Sequence, residues 1–303
     1  MMTSKVQSLK DFLGGQGRIA LIEVAGTKGS TPREKGAFML VSPSATSGTI
    51  GGGQLEYMAI DKARQMLASL PSRKRQGKEN RIEVDEVCAT LDVPLGPEIG
   101  QCCGGRVEVL IRPVDSALAA ELVSAAEAEE ARLPHVYIFG GGHVGQALAS
   151  TIALLPVHGV VIETRAEALE GMPETVETRL TPMPEAEVHS APAGTAFAVL
   201  THDHALDFLI VTEALKREDA AYVGMIGSKT KKATFRNWFL KSGDGTDAEF
   251  ARLISPIGGD AVKDKRPPVI AALAAAEIMT ALVIHNAASN ADHKIPHDRV
   301  IAG

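Results

Sequence analysis

Val136-Tyr137-Ile138-Phe139-Gly140-Gly141-Gly142-His143-Val144-Gly145 is the stretch whose reading decides the fold. An apolar run of strand type enters a glycine turn, and a helix-forming stretch from Gln146 to Leu155 leaves it. Gly140, Gly142 and Gly145 fit G-x-G-x-x-G in the setting that pattern requires, strand before and helix after. Glycines there permit a tight turn and close approach of backbone to a ligand, and the first N–H groups of the helix face an anion. A second apolar strand, Val160-Val161-Ile162, ends in Glu163, close to the offset of about 20 residues at which a ribose-binding carboxylate stands. The expected fold class is therefore α/β, with a Rossmann-type doubly wound parallel sheet. A fold does not determine its ligand. A loop that holds NAD or NADP and a loop that only packs both fit these residues.

Working outward, the chain divides by pattern. With 303 residues it has room for two domains of about 150 each. Upstream, Val6 to Leu13 reads as a short helix, and Arg18 to Val24 and Ala37 to Val41 as strands. Gly51-Gly52-Gly53 leads into a helix from Gln54 to about Leu70. Arg81 to Val84 and Arg106 to Ile111 alternate like half-buried strands. These elements form a smaller α+β domain over 1–114, and an Ala- and Glu-rich linker helix occupies 115–133. The Rossmann-type domain spans 134–289 and a polar, loosely held tail spans 290–303, its polar character beginning after His285. Inside the larger domain, Thr181 to Gly194, with Pro182, Pro184 and Pro192, reads as a surface loop. Phe197 to Leu200 is a buried strand, Ala205 to Arg217 a helix, and a basic helix follows Gly227-Ser228-Lys229. The alanine-rich stretch Val269 to Ile284 reads as a core helix, too short and too interrupted by Glu277 to span a membrane. A homodimer contact is its alternative use.

Composition narrows the function classes. Hydrophobic residues make up 45% and charged residues 22%, with a net charge of −6, the profile of a globular protein. No basic stripe and no arginine–aromatic interleaving occurs, which argues against nucleic acid as a partner. Met1 to Lys10 lacks an apolar secretory core, so a cytoplasmic location is expected. Three cysteines, Cys88, Cys102 and Cys103, cannot build a disulfide framework and are expected as free thiols, ligands or reactive groups.

In an open parallel sheet, ligands bind beyond the carboxyl ends of the strands. That rule gathers the Gly140–Gly145 loop with His143, then Glu163-Thr164-Arg165, then Thr201, His202, Asp203 and His204, then Pro256 to Gly258, and the Gly227-Ser228-Lys229 turn onto one edge. The Gly227-Ser228-Lys229 turn offers N–H groups, a hydroxyl and an ammonium to a phosphate, but lacks Walker spacing. His202, Asp203, His204 and Asp207 do not match H-E-x-x-H, so a histidine there reads as a hydrogen-bonding or acid/base group before it reads as a zinc ligand. Gly51-Gly52-Gly53 before Gln54 reads first as a tight strand-to-helix connection and is also compatible with an anion. Cys102 and Cys103 precede two glycines. A thiol beside such a turn serves as a nucleophile or soft-metal ligand, whereas in a core it is a small apolar residue.

Several motifs run in one order along the chain: Gly29-Ser30-Thr31-Pro32-Arg33, Gly48-Thr49-Ile50-Gly51-Gly52-Gly53-Gln54-Leu55-Glu56, Gln101-Cys102-Cys103-Gly104-Gly105, the Phe139–Gly145 loop, Thr201-His202-Asp203-His204, Gly224-Met225-Ile226-Gly227-Ser228-Lys229 and Ser255-Pro256-Ile257-Gly258. In these the sequence resembles the xanthine dehydrogenase accessory proteins of the XdhC/CoxI type, over nearly the whole chain. The resemblance implies a molybdenum cofactor (molybdopterin) chaperone. Such a protein holds the cofactor while a cysteine desulfurase delivers sulfide to it, then passes it to apo xanthine dehydrogenase or a related molybdenum hydroxylase. It further implies cofactor contacts from Cys103 first and Cys102 second, with Cys103 toward the molybdenum. Gly52, Gln54, Gly140, Gly142, His143, Gly145, Glu163, Arg165, His202, Asp203, His204, Gly227, Ser228 and Lys229 complete the expected cofactor-binding set. An NAD(P)-dependent oxidoreductase built on the Rossmann half is the alternative.

Overall fold

The computed structural model describes residues 5–15, 17–69, 88–95 and 104–292. The chain forms two compact units, one from Ser4 to Glu129 and one from Glu130 onward.

The N-terminal unit contains α1 (Lys5–Gly15), β1 (Ala20–Lys28), β2 (Phe38–Val41), β3 (Thr46–Gly48), α2 (Gly53–Ser69), β4 (Ala89–Pro94), β5 (Arg106–Pro113) and α3 (Ser116–Glu130). Its five described strands are antiparallel in the order β3-β2-β1-β5-β4. Successive side chains on a strand point to opposite faces, and the sequence uses both. Ala20, Ile22, Val24, Met39, Val41, Val107, Val109 and Ile111 face α2 and bury its Leu55, Ala59, Ala63 and Met66. Leu21 and Leu40, from the alternate positions, face Leu9 of α1 and Leu118 of α3. The strand expected at 81–84 and the loop before it lie outside the described residues. The strands β3 and β4 are additions to the pattern read from the sequence.

The C-terminal unit contains β6 (His135–Phe139), α4 (His143–Ile152), β7 (His158–Glu163), β8 (Glu177–Leu180), α5 (Pro184–Ser190), β9 (Ala196–Val199), α6 (His204–Lys216), β10 (Tyr222–Met225), α7 (Lys229–Ser242), α8 (Asp247–Ala251), β11 (Leu253–Ile254) and α9 (Pro267–Asp292). All six strands are parallel, in the order β11-β10-β9-β6-β7-β8. Read from the other edge this is 3-2-1-4-5-6, the Rossmann order, with its topological switch between β6 and β9. Alternation again sorts the core. Val136, Ile138, Val161, Ala196 and Ala198 face α4 and α9, while Tyr137, Phe139, Val160, Ile162, Phe197 and Val199 face α5, α6 and α7. The unit is thus the expected α/β doubly wound parallel sheet, preceded by the smaller α+β part.

Two local expectations need correction. The stretch from Thr181 to Gly194 is not all loop, because α5 occupies its middle. Pro184 sits in the first turn of α5, where its missing N–H costs nothing, so this proline starts a helix. The last helix, α9, follows a polar loop that ends at Arg266. It runs from Pro267 through His285 to Asp292 and is longer than the 269–284 reading. Over 267–289 it is long and apolar enough to cross a bilayer by length and composition. It is a core helix on one face only: Ala271, Ala274, Ala275, Ile278 and Leu282 are buried, whereas Val283 and Ile284 are exposed.

Candidate functional site at the carboxyl edge of the parallel sheet

The loops after β6, β7, β9, β10 and β11 carry the expected groups to the carboxyl edge. Gly140 takes φ +110, and a Cβ on it would lie 2.7 Å from the carbonyl oxygen of Leu200, so the glycine loop rests directly on the end of β9. At Gly145 a Cβ would come within 1.9 Å of the Gly140 carbonyl oxygen. Only glycine lets α4 start this close to the loop. Gly142 is the N-cap of α4 and supplies no side-chain cap. By contrast, Asp203 caps α6 and Ser228 caps α7. The N–H groups of Gly142, His143 and Val144 therefore have no protein acceptor among the described residues. The His143 side chain is exposed beside them.

Glu163 is buried at the end of β7 and fully engaged. Its Oε2 accepts from Gly141 N–H (2.8 Å) and from the Arg165 guanidinium (3.3 Å). Its Oε1 accepts from Thr164 N–H (2.8 Å), the Thr164 hydroxyl (3.1 Å), Arg165 N–H (3.2 Å) and Arg165 Nε (3.4 Å). Burial alone raises its pKa. The Arg165 hydrogen bond and the N–H groups of Gly141 and Thr164 outweigh burial and hold the carboxyl at about 2. A carboxylate has roughly four acceptor positions, so a ribose hydroxyl would have to displace one of these donors.

After β9, Thr201 donates from its N–H (3.1 Å) and hydroxyl (2.6 Å) to Oδ1 of Asp207. Asp207 is fully buried, and its other oxygen pairs with Lys231 of α7. The Lys231 ammonium also donates to the carbonyl of Ile226, at 3.0 Å. One buried ion pair thus ties the loop after β9 to the loop after β10. His202 and His204 are exposed, and Asp203 accepts from Ala205 and Leu206 N–H as the α6 cap. Among the described residues no group of three His, Cys, Asp or Glu side chains is placed to hold a metal ion. Ser228 Oγ accepts from Lys231 N–H (3.2 Å), and the exposed Lys229 pairs with Asp260 at 3.2 Å.

In the N-terminal unit, Gly51, Gly52 and Gly53 all have positive φ. Their turn is closed from within: Glu56 Oε2 accepts from Ile50 N–H (3.1 Å), Gly52 N–H (3.0 Å) and the Thr49 hydroxyl (2.5 Å). Gln54 is exposed. The Pro32 ring lies where a Gly51 Cβ would come, at 2.6 Å, and Gly104 bridges to Ser30. Three of the motif segments therefore meet at one end of this unit. Cys102 and Cys103 lie outside the described residues; Cys88 is exposed. Sequence reasoning does not find the engagement of Glu56 or the Asp207–Lys231 pair. A Glu three residues into α2 is the available signal for the first.

Comparison with known proteins decides the family. A model described as the XdhC Rossmann domain matches residues 136–278, and one described as the XdhC and CoxI family matches residues 13–76. The chain belongs to the XdhC and CoxI family. Its two matched segments fall one in each compact unit. This XdhC-family chain is similar to YqeB of Escherichia coli (strain K12), 26% identical over 268 residues, which covers 86% of the chain and 43% of YqeB. It thus spans less than half the length of that relative. It also resembles a Bacillus halodurans crystal structure described as a xanthine dehydrogenase, with TM-score 0.72 and 17% identity over 93% of this chain and 96% of that one. At that identity the likeness is one of fold.

Proposed function

We propose that this chain is an accessory protein that binds the molybdenum cofactor, holds it for sulfuration and passes it to xanthine dehydrogenase or a related molybdenum hydroxylase. Family membership in both units supports the setting. The observation that carries the reading is the uncapped start of α4: the Gly142, His143 and Val144 N–H groups converge at the β6–β9 switch point with no protein acceptor among the described residues. A phosphate, such as the one molybdopterin carries, suits such a turn. Cys103, with Cys102 beside it, is the proposed thiol toward the molybdenum, a soft enough centre for a thiolate. The apo hydroxylase and a cysteine desulfurase are the partners of this reading, and its setting is the cytoplasm.

The test is the molybdenum and pterin content of the protein isolated from cells that make the cofactor. Near-stoichiometric pterin is expected, reduced in Cys103→Ala. Absence of pterin from the wild-type chain overturns the reading. Full loading of the Cys102→Ala/Cys103→Ala chain removes the thiols from it.

A second reading, a dinucleotide site, is favoured by the Rossmann strand order. The engagement of Glu163 weighs against it, because the ribose ligand of such sites is here bonded to its own loop. Thermal shifts with NAD and NADP decide it; none at millimolar concentration closes that reading.

A further inference from the structure

We infer that a pocket between α7 and the turn after β11 binds a phosphate monoester, at a place separate from the α4 glycine loop. The pocket has a volume of about 450 Å³, and Lys229, Lys232, Ser255, Pro256 and Asp260 are among the residues lining it. Three observations point to an anion. Lys232 Nζ donates to the Leu253 carbonyl oxygen at 3.2 Å and lies 5.8 Å from the centre of the Phe250 ring, so its ammonium is held in place. No carboxylate among the described residues pairs with it, whereas Arg165, Arg179, Arg217, Lys231 and Arg236 of the same unit each have one. Ser255 Oγ is buried and has no hydrogen-bond partner among the described residues. A buried hydroxyl left unpaired is costly, and a ligand oxygen removes that cost.

The rim supplies the second cation. Lys229 pairs with Asp260 at 3.2 Å, but the two side chains are 85% and 66% exposed. Such a pair is weak and solvated, so Lys229 exchanges readily from Asp260 to an incoming anion. Two ammonium groups and a hydroxyl match the charge and acceptor oxygens of a phosphate monoester better than those of a single carboxylate. Leu253, Ile254 and Pro256 leave an apolar wall for the rest of the ester. Asp260 is the opposing feature, and it makes the inference sharp: a carboxylate on the rim weakens an anion site, so its removal must strengthen it.

The experiment titrates the apo chain with inorganic phosphate, AMP and a pterin phosphate, followed by calorimetry and by ³¹P line broadening. Saturable binding is expected. Lys232→Gln should weaken it by about tenfold or more, the loss of one charge-assisted hydrogen bond. Ser255→Ala should weaken it less, and Asp260→Asn should tighten it. Tighter binding of AMP than of the pterin phosphate names a nucleotide as the source of the ester; the reverse order names a pterin. Absence of saturable binding overturns the inference, as does binding that Lys232→Gln and Asp260→Asn both leave unchanged. Lys232 and Asp260 are not in the core, so folding of these variants does not confound the result. The pocket is scored by its response to Lys232→Gln and Asp260→Asn, which leave the α4 glycine loop untouched, so its failure is distinct from failure of the accessory reading.

Discussion

Severing the Asp207–Lys231 pair should destabilise the C-terminal unit by several kcal/mol. Asp207 has no exposure and Lys231 has 8%, so neither charge can turn to water when its partner is lost. Lys231→Met leaves a buried carboxylate supported, among the described residues, only by Thr201; Asp207→Asn leaves a buried ammonium supported by the Ile226 carbonyl. Removing one member of a buried pair costs about 3–5 kcal/mol, because the survivor keeps its desolvation penalty. For a unit of this size each kcal/mol moves the midpoint by about 2–4 °C, so each single variant should melt about 6–20 °C lower.

The assay is built into the chain. Trp238 is its single tryptophan. It lies on α7, the helix that carries Lys231, with ring centres 5.7 Å from Phe208 and 6.2 Å from Phe235. Its fluorescence therefore follows the C-terminal unit in urea without interference from the other unit. The double variant Asp207→Asn/Lys231→Met has no uncompensated buried charge and should be more stable than the sum of the singles by about 2 kcal/mol or more. A Lys231→Met cost below about 1 kcal/mol, the scale of a surface pair, would refute the argument. Strict additivity in the double variant would refute it as well.

Three further outcomes follow from the same contacts. Gly145→Ala should melt well below the wild type or fail to fold, since its Cβ meets the Gly140 carbonyl at 1.9 Å, while Gly142→Ala, with nothing within 4 Å of its Cβ, should melt close to it; equal midpoints would contradict the packing. Glu56→Ala should speed hydrogen exchange at the Ile50 and Gly52 amides by about tenfold or more, the loss of a half-buried acceptor, as read by NMR. Glu163 has a folded-state pKa of about 2 against an ordinary 4.5, so its stabilisation is present above pH 4.5 and disappears as pH falls through about 2. A shift of that size corresponds to about 3 kcal/mol. Urea midpoints of the wild type should fall over that window more steeply than those of Glu163→Gln, and parallel curves would contradict the assignment.

Much of the fold is legible because its signals are local. The run from Val136 to Gly145 contains strand, turn and helix start within ten residues, and its context requires a parallel sheet. The strand Glu177–Leu180 is not legible: it is an edge strand with burial exposed-exposed-intermediate-exposed, so it carries no apolar alternation to read. Its Arg179 is organised by Tyr137 and Glu187, which are distant or irregularly spaced in sequence. The site shows the same division. The glycines and Glu163 announce themselves by spacing, but what Glu163 bonds does not. Gly141 lies 22 residues away, and spacing cannot distinguish a carboxylate reaching out to a ribose from one reaching back to its own loop. Asp207 and Lys231, 24 residues apart on two helices, become a pair only through the packing of α6 and α7.

The three loop carboxylates share one physical task, and it limits where an anion can bind. Glu56 takes the amides of the Gly51–Gly53 turn, Glu163 takes Gly141, and Asp207 takes Thr201. Each is a negative charge already seated where backbone dipoles converge, and a second anion there would meet both occupied donors and like-charge repulsion. Charge must therefore arrive where donors remain. In the C-terminal unit those are the start of α4 beyond Gly141 and the Lys232–Ser255 pocket beyond β11. The first is built of backbone N–H groups and does not depend on side-chain identity except through the glycines. The second depends on one lysine and one serine and is switched by a single rim aspartate. Two proposed anion sites so differently made should respond to different substitutions, so occupancy of one can be measured while the other is silenced.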